Sequence, residues 1–136
     1  MKKYLLIVLV LNLILSACSS QVSPITGSWK LTAYGSPDAP TPAVTEVDAT
    51  LTFDADGKIS GNDGCNSMSG QYEVSGDQIT FSQVTSTLMA CAEPQMVQEQ
   101  AVYQVFSDAA TFKLESGTLT IMKDNLVLVF TSVPTE

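Results

Sequence analysis

The stretch Gln71-Tyr72-Glu73-Val74-Ser75-Gly76-Asp77-Gln78-Ile79-Thr80-Phe81 decides the fold. Tyr72 and Val74 alternate with Gln71 and Glu73, Ile79 and Phe81 alternate with Gln78 and Thr80, and Ser75-Gly76-Asp77 supplies turn chemistry between them. A period of two gives a strand one dry face and one wet face, and two such runs around a glycine turn make a hairpin. The same pattern recurs on both sides. Trp29 and Leu31, Leu51 and Phe53, Phe112 and Leu114, and Leu119 and Ile121 each alternate with polar neighbours. Leu126–Phe130 is apolar throughout and reads as a strand covered on both faces. Asp56-Gly57, Ser116-Gly117 and Asp124-Asn125 are further hairpin turns. Dry faces must meet, so a sandwich or barrel is expected.

Two segments break the rhythm. Gly35–Asp48 holds Pro37, Pro40 and Pro42 without alternation and reads as a long exposed loop. From Pro94 onward the period changes: Val97, Ala101, Val105 and Ala109 fall four apart, with Val102 and Phe106 beside them and Gln95, Gln98, Glu99 and Gln104 away from them. Pro94 suits a first helical turn and Glu93 favours the positive end of the helix dipole. This predicts one amphipathic helix of about four turns, laid on the sheet or across a barrel mouth. The fold class is therefore mainly β with one α-helix.

The N-terminus is an address. Lys2 and Lys3 precede an apolar run from Tyr4 to Leu15, too short to span a bilayer as a helix, which needs about 20 residues. Leu15-Ser16-Ala17-Cys18 resembles the bacterial lipobox, so residues 1–17 are expected to be a lipoprotein signal peptide and Cys18 the site of lipid attachment. Residues 18–26 then form a lipidated tether, and the domain occupies 27–132. Two or more acyl chains anchor stably, each buried methylene contributing about 0.8 kcal/mol. The expected location is the bacterial cell envelope, facing the periplasm or exterior. No aspartate follows Cys18, so in a host with an outer membrane that membrane is the expected destination.

Composition removes whole classes of function. The chain has six basic residues, all lysine, against fourteen acidic ones and no histidine, for a net charge of -8. Histidine-dependent catalysis and a histidine-containing zinc site are excluded, and phosphate-backbone binding is strongly disfavoured. No nucleic-acid partner and no cofactor are expected, and the protein is expected to be a monomer. With Cys18 lipidated, Cys65 and Cys91 remain, and in an oxidising compartment two cysteines permit one pairing. The rival is a reactive thiol, but there is no CxxC spacing, histidine or arginine to lower its pKa.

Candidate chemistry is sparse. Asp54-Ala55-Asp56-Gly57 opens like a calcium loop, but Lys58 follows and the later ligands are missing, so a hairpin turn explains it. Neither Asp54 with Asp56 nor Glu46 with Asp48 has surroundings that suit an acid–base pair. No metal ligands and no catalytic residues are assigned, and the protein is not expected to be an enzyme. Gly61-Asn62-Asp63-Gly64-Cys65-Asn66 is a tight connection that aims Cys65 at Cys91; alternatively Asn66 presents its amide to a ligand. Trp29 and Tyr72 are core residues or aromatics lining a pocket. Met68, Met89 and Met96 read as fillers of irregular gaps.

Gly27-Ser28-Trp29-Lys30-Leu31, Leu51-Thr52-Phe53 and Asp56-Gly57-Lys58-Ile59-Ser60-Gly61 together resemble the META domain. The specific part is Gly64-Cys65-Asn66, then Gly70-Gln71-Tyr72, then Thr87-Leu88-Met89-Ala90-Cys91 ahead of a helix. In layout the chain is similar to the bacterial heat-shock lipoproteins of that family. The resemblance implies a small antiparallel β-barrel of lipocalin-like topology carrying one helix. It implies that Cys65 and Cys91 are the family's paired cysteines, and an envelope or stress-response role without a settled catalytic mechanism.

The leading expectation is a non-enzymatic, lipid-anchored envelope module that binds an envelope protein or a small ligand. The alternatives are an inhibitor of a lysozyme or protease and a carrier of a small hydrophobic ligand. The inhibitor reading leans on Ser69-Gly70-Gln71-Tyr72, which is similar to the serine-glycine-x-x-tyrosine loop of lysozyme inhibitors but one residue short. The carrier reading needs an open cavity.

Overall fold

The computed structural model describes residues 22–134. The expected signal peptide at 1–17 and lipidation site Cys18 lie outside the described residues, as does the first part of the tether 18–26. The elements are β1 (Gly27–Ser36), β2 (Ala39–Pro42), β3 (Thr50–Phe53), β4 (Lys58–Asn62), β5 (Ser67–Ser75), β6 (Gln78–Ser86), α1 (Glu93–Val105), β7 (Ala109–Glu115), β8 (Thr118–Lys123) and β9 (Leu126–Val133). All pairings are antiparallel. The sheet runs β2-β1-β3-β4-β5-β6-β7-β8-β9, and β9 pairs back onto β1 from Ser28↔Val133 to Gly35↔Val127. Eight strands thus close an up-and-down barrel, the order that lipocalins use. β2 is an appendage on the part of β1 that β3 leaves free.

Alternation put most of the named side chains inside, with Leu114 of β7, 38% exposed, the exception. Trp29, Leu31, Leu51, Phe53, Tyr72, Ile79, Phe81, Leu119 and Ile121 are all buried, with Phe106, Phe130 and Leu128 fully enclosed among them. Val127 and Leu128 are consecutive and both buried, so β9 is covered on both faces there. The hairpin turns fall where expected: Ser116 and Gly117 both take positive φ, the geometry that matches strand twist in a two-residue turn. Asp54 closes its own turn, its carboxylate accepting the amides of Asp56 and Lys58 at 2.9 Å each.

Four expectations need correction. The proline-rich segment is not all loop, because β1 runs on to Ser36 and turns into β2, whose Pro40 and Pro42 sit on an edge where a missing N–H is tolerated. β4 has only Ile59 as a buried aliphatic and carries no readable alternation, yet it is a full barrel strand. Its Gly61 is required: a Cβ there would collide with the Thr50 carbonyl of β3. Thirdly, the fold begins before residue 27. Ile25 is fully buried, and its carbonyl accepts the Trp29 indole N–H at 2.8 Å.

The fourth correction concerns the phase of α1. The helix ends at Val105, and Ala109 opens β7 instead of extending the stripe. Its buried face is Gln98, Ala101, Val102 and Val105, while Val97 is 51% exposed. Gln98 replaces Val97 inside because two backbone groups there need partners. Its amide N–H donates to the Asp63 carbonyl (2.7 Å), and its Oε1 accepts the Val44 N–H (2.8 Å). Replacing Gln98 by methionine keeps the volume and strands both groups. Denaturant unfolding is expected to show a loss of about 2 kcal/mol; a loss below about 0.5 kcal/mol would contradict this role.

The up-and-down order gives the barrel two unlike ends. The β3–β4, β5–β6 and β7–β8 turns lie at one end, where Val22–Pro24 border a groove with Ala55, Gly57 and Gly76. The long connections before β3, the β4–β5 turn and the β6–α1 segment lie at the other, and α1 closes this mouth against β1, β8 and β9. Phe106, just past the helix, stacks on Phe81 with ring centroids 4.1 Å apart.

Candidate binding site at the barrel mouth

The site grows from the β4–β5 turn. The Asn62 side chain accepts the Gly64 N–H (2.7 Å), and the Asp63 carboxylate accepts those of Cys65 (2.9 Å) and Asn66 (2.7 Å). These are the side-chain-to-backbone bonds for which Asn and Asp are selected in turns. Gly64 adopts φ +102°, and a Cβ there would strike the Gln98 amide. The turn and the helix therefore fit each other through a missing side chain.

Asn66 carries the connection outward. It is 1% exposed. Its Oδ1 accepts from the Thr87 hydroxyl and the Met89 N–H, both at 2.7 Å. Its Nδ2 donates to the Glu99 carboxylate at 2.7 Å and contacts Cys65 Sγ at 3.3 Å. Thr87 is held twice more: its N–H donates to Ser67 O (3.0 Å), and its hydroxyl oxygen accepts the Ser67 N–H (3.1 Å). The Cys65–Cys91 disulfide completes the tie, with Cα atoms 5.9 Å apart. One amide, one threonine and one disulfide thus pin the whole Thr87–Cys91 segment to the β4–β5 turn.

That firmly held segment presents apolar side chains to solvent. Leu88 is 96% exposed and Met89 63% exposed. On the outer flank of α1, Met96, Val97 and Tyr103 are each about half exposed. With Cys91, Glu93 and Glu99 they border a groove of about 650 Å³. Of the three methionines expected to fill gaps, Met68 is buried, whereas Met89 and Met96 are surface residues.

Of the candidate binding residues, Asn66 lies beneath this surface, with its amide committed inside the protein. Trp29 and Tyr72 are buried and stand outside the Asn66 network. Trp29 bonds Ile25, and the Tyr72 hydroxyl donates to Asp54 O at 2.7 Å while its ring meets Phe53 edge-on at 5.0 Å. The structure does not bring the three together. Ser69–Tyr72 lies within β5 and forms no protruding loop. Sequence reasoning missed Leu88, Val97 and Tyr103; for Leu88 the signal was a Thr-x-Met-Ala-Cys segment whose apolar residues follow no strand or helix period, while Val97 and Tyr103 sit on a helix whose phase was misread.

Fold and site define a class: a small closed antiparallel barrel, capped by one helix and stapled by a disulfide between the β4–β5 turn and the segment before that helix. The META domain model matches residues 22–134, and the chain belongs to the META domain family. No curated protein matches it significantly. Among solved structures, one of a protein from Burkholderia xenovorans is similar at TM-score 0.67 and 23% identity, covering 86% of this chain and 88% of that one. A second solution structure is similar at TM-score 0.63 and 21% identity, covering 79% and 90%. A DUF4847 family protein from Bacteroides vulgatus reaches TM-score 0.56 at 11% identity, covering 82% and 96%. These likenesses are of fold.

Proposed function

We propose that this chain is a non-enzymatic binding module of the bacterial cell envelope, anchored by lipid on Cys18 and using the barrel mouth as its working surface. The observation that carries this reading is the set of exposed apolar side chains, Leu88, Met89, Met96, Val97 and Tyr103, on a backbone pinned by Asn66 and the disulfide. Exposed apolar groups held rigidly lose little entropy when a partner covers them. Aromatic and aliphatic side chains pack the barrel interior, which favours the mouth surface over the lumen as the place of binding.

Two measurements test it. Alkyne-palmitate fed to expressing cells is expected to label the wild-type chain and not Cys18→Ser; equal labelling of both would sink the anchor. Hydrogen exchange on the soluble chain Ser19–Glu136, mixed with an envelope extract, is expected to slow across residues 87–103. Protection confined to the turn end of the barrel, or none at all, would refute the mouth as the binding surface.

A further inference from the structure

The geometry points to a cationic amphipathic helix as the occupant of the mouth-side groove, an inference that rests on the binding-module reading above. Charge selects a cationic partner. No basic residue occurs between Lys58 and Lys113, a stretch that contains the whole groove. Glu93 and Glu99 border it, and the chain as a whole carries -8. The Lys123 ammonium is bonded to Ser107, beyond the helix end (2.7 Å). A second copy of this chain, or an anionic lipid surface, would meet like charge here; a cationic partner meets its complement.

Shape selects a helix. Met96, Gln100 and Tyr103 lie at i, i+4 and i+7 on the outer flank of α1, making a ridge along two helical turns. Ridges of this spacing receive another helix, read through its own apolar stripe. Beyond Thr80 the outer edge of β6 pairs with no strand among the described residues, but the groove itself is lined by side chains of α1 and the segment before it, which present no sheet edge, so it suits a helix and not an added strand. Met96 supplies a flexible, polarizable contact that adapts to different apolar side chains. The ligand chemistry is thus lysine or arginine flanking an apolar helical stripe.

The test is calorimetric titration of the soluble chain Ser19–Glu136, which contains every strand of the closed barrel. Four synthetic peptides of equal length serve as probes: an amphipathic lysine–leucine helix, its scrambled-order version, a glutamate–leucine helix and a neutral glutamine–leucine helix. The lysine–leucine helix is expected to bind tightest, about tenfold or more above the others, and to weaken as salt is raised. The double variant Met96→Ser, Val97→Ser is expected to weaken it at least about tenfold, since each apolar side chain loses its buried contact. Glu93→Gln is expected to weaken it a few-fold and to flatten the salt dependence. Both variants change exposed side chains, and circular dichroism checks that the fold is kept. Equal binding of the scrambled peptide, or no effect of the double variant, would overturn the proposal by reducing it to bulk charge. If the neutral helix binds as tightly as the cationic one and the double variant weakens both, the cationic partner is wrong while the binding surface stands. If none of the peptides binds, both readings fall.

Discussion

Replacing Cys65 and Cys91 together by alanine is expected to lower the unfolding free energy by about 3–4 kcal/mol. The bridge spans 26 positions, and opening that loop returns its closure entropy to the unfolded chain. For a domain of this size such a loss corresponds to a midpoint lower by roughly 10 °C or more. Chemical denaturation of the oxidised wild type beside the double variant measures it directly. The barrel itself is expected to survive, because its pairings and core do not pass through either sulfur. A loss under about 1 kcal/mol would mean that the hydrogen bonds of Asn66 alone hold the two segments together.

Asn66→Ala is expected to cost about 3 kcal/mol by a different route. It leaves the Met89 N–H, the Thr87 hydroxyl and the Glu99 carboxylate each short of a partner in a part-buried setting, and deserted groups cost more than formed bonds contribute. Asn66→Asp keeps both acceptor functions but sets a second carboxylate against Glu99, so rescue is not expected. The distinguishing readout is local: amide exchange at Met89 should accelerate far more than at Leu128 in the barrel wall. Uniform acceleration at both positions would show that Asn66 acts on global stability and not on this segment.

Much of the barrel was legible because period two is a physical signal of a half-buried strand. Six runs showed it and became β1, β3 and β5–β8, while the wholly apolar run Leu126–Phe130 became β9. β4 stayed hidden because Lys58-Ile59-Ser60-Gly61-Asn62 offers one aliphatic side chain and a glycine whose value lies in letting Thr50 approach. β2 stayed hidden because proline marks an edge and a loop alike. The helix was readable in existence but not in phase, since a glutamine that satisfies two distant backbone groups looks in sequence like a solvent-facing one. The site was half legible. The cysteines and the Asn66 turn stood out as unusual, but the apolar residues between Thr87 and Cys91 gain their meaning from being held out of the core, which no local pattern announces.

The way β1 is set into the wall has a mechanical consequence. It is hydrogen-bonded along one edge to β9 and along the other to β3 and then β2, and the chain enters it from the turn end. A pull between residue 22 and the mouth runs along the strand axis, across hydrogen bonds that lie perpendicular to it. Those bonds share the load at once instead of opening one after another. Were lipid to hold the chain before residue 22 and a partner to grip the mouth, the domain would be loaded in shear and not peeled strand from strand.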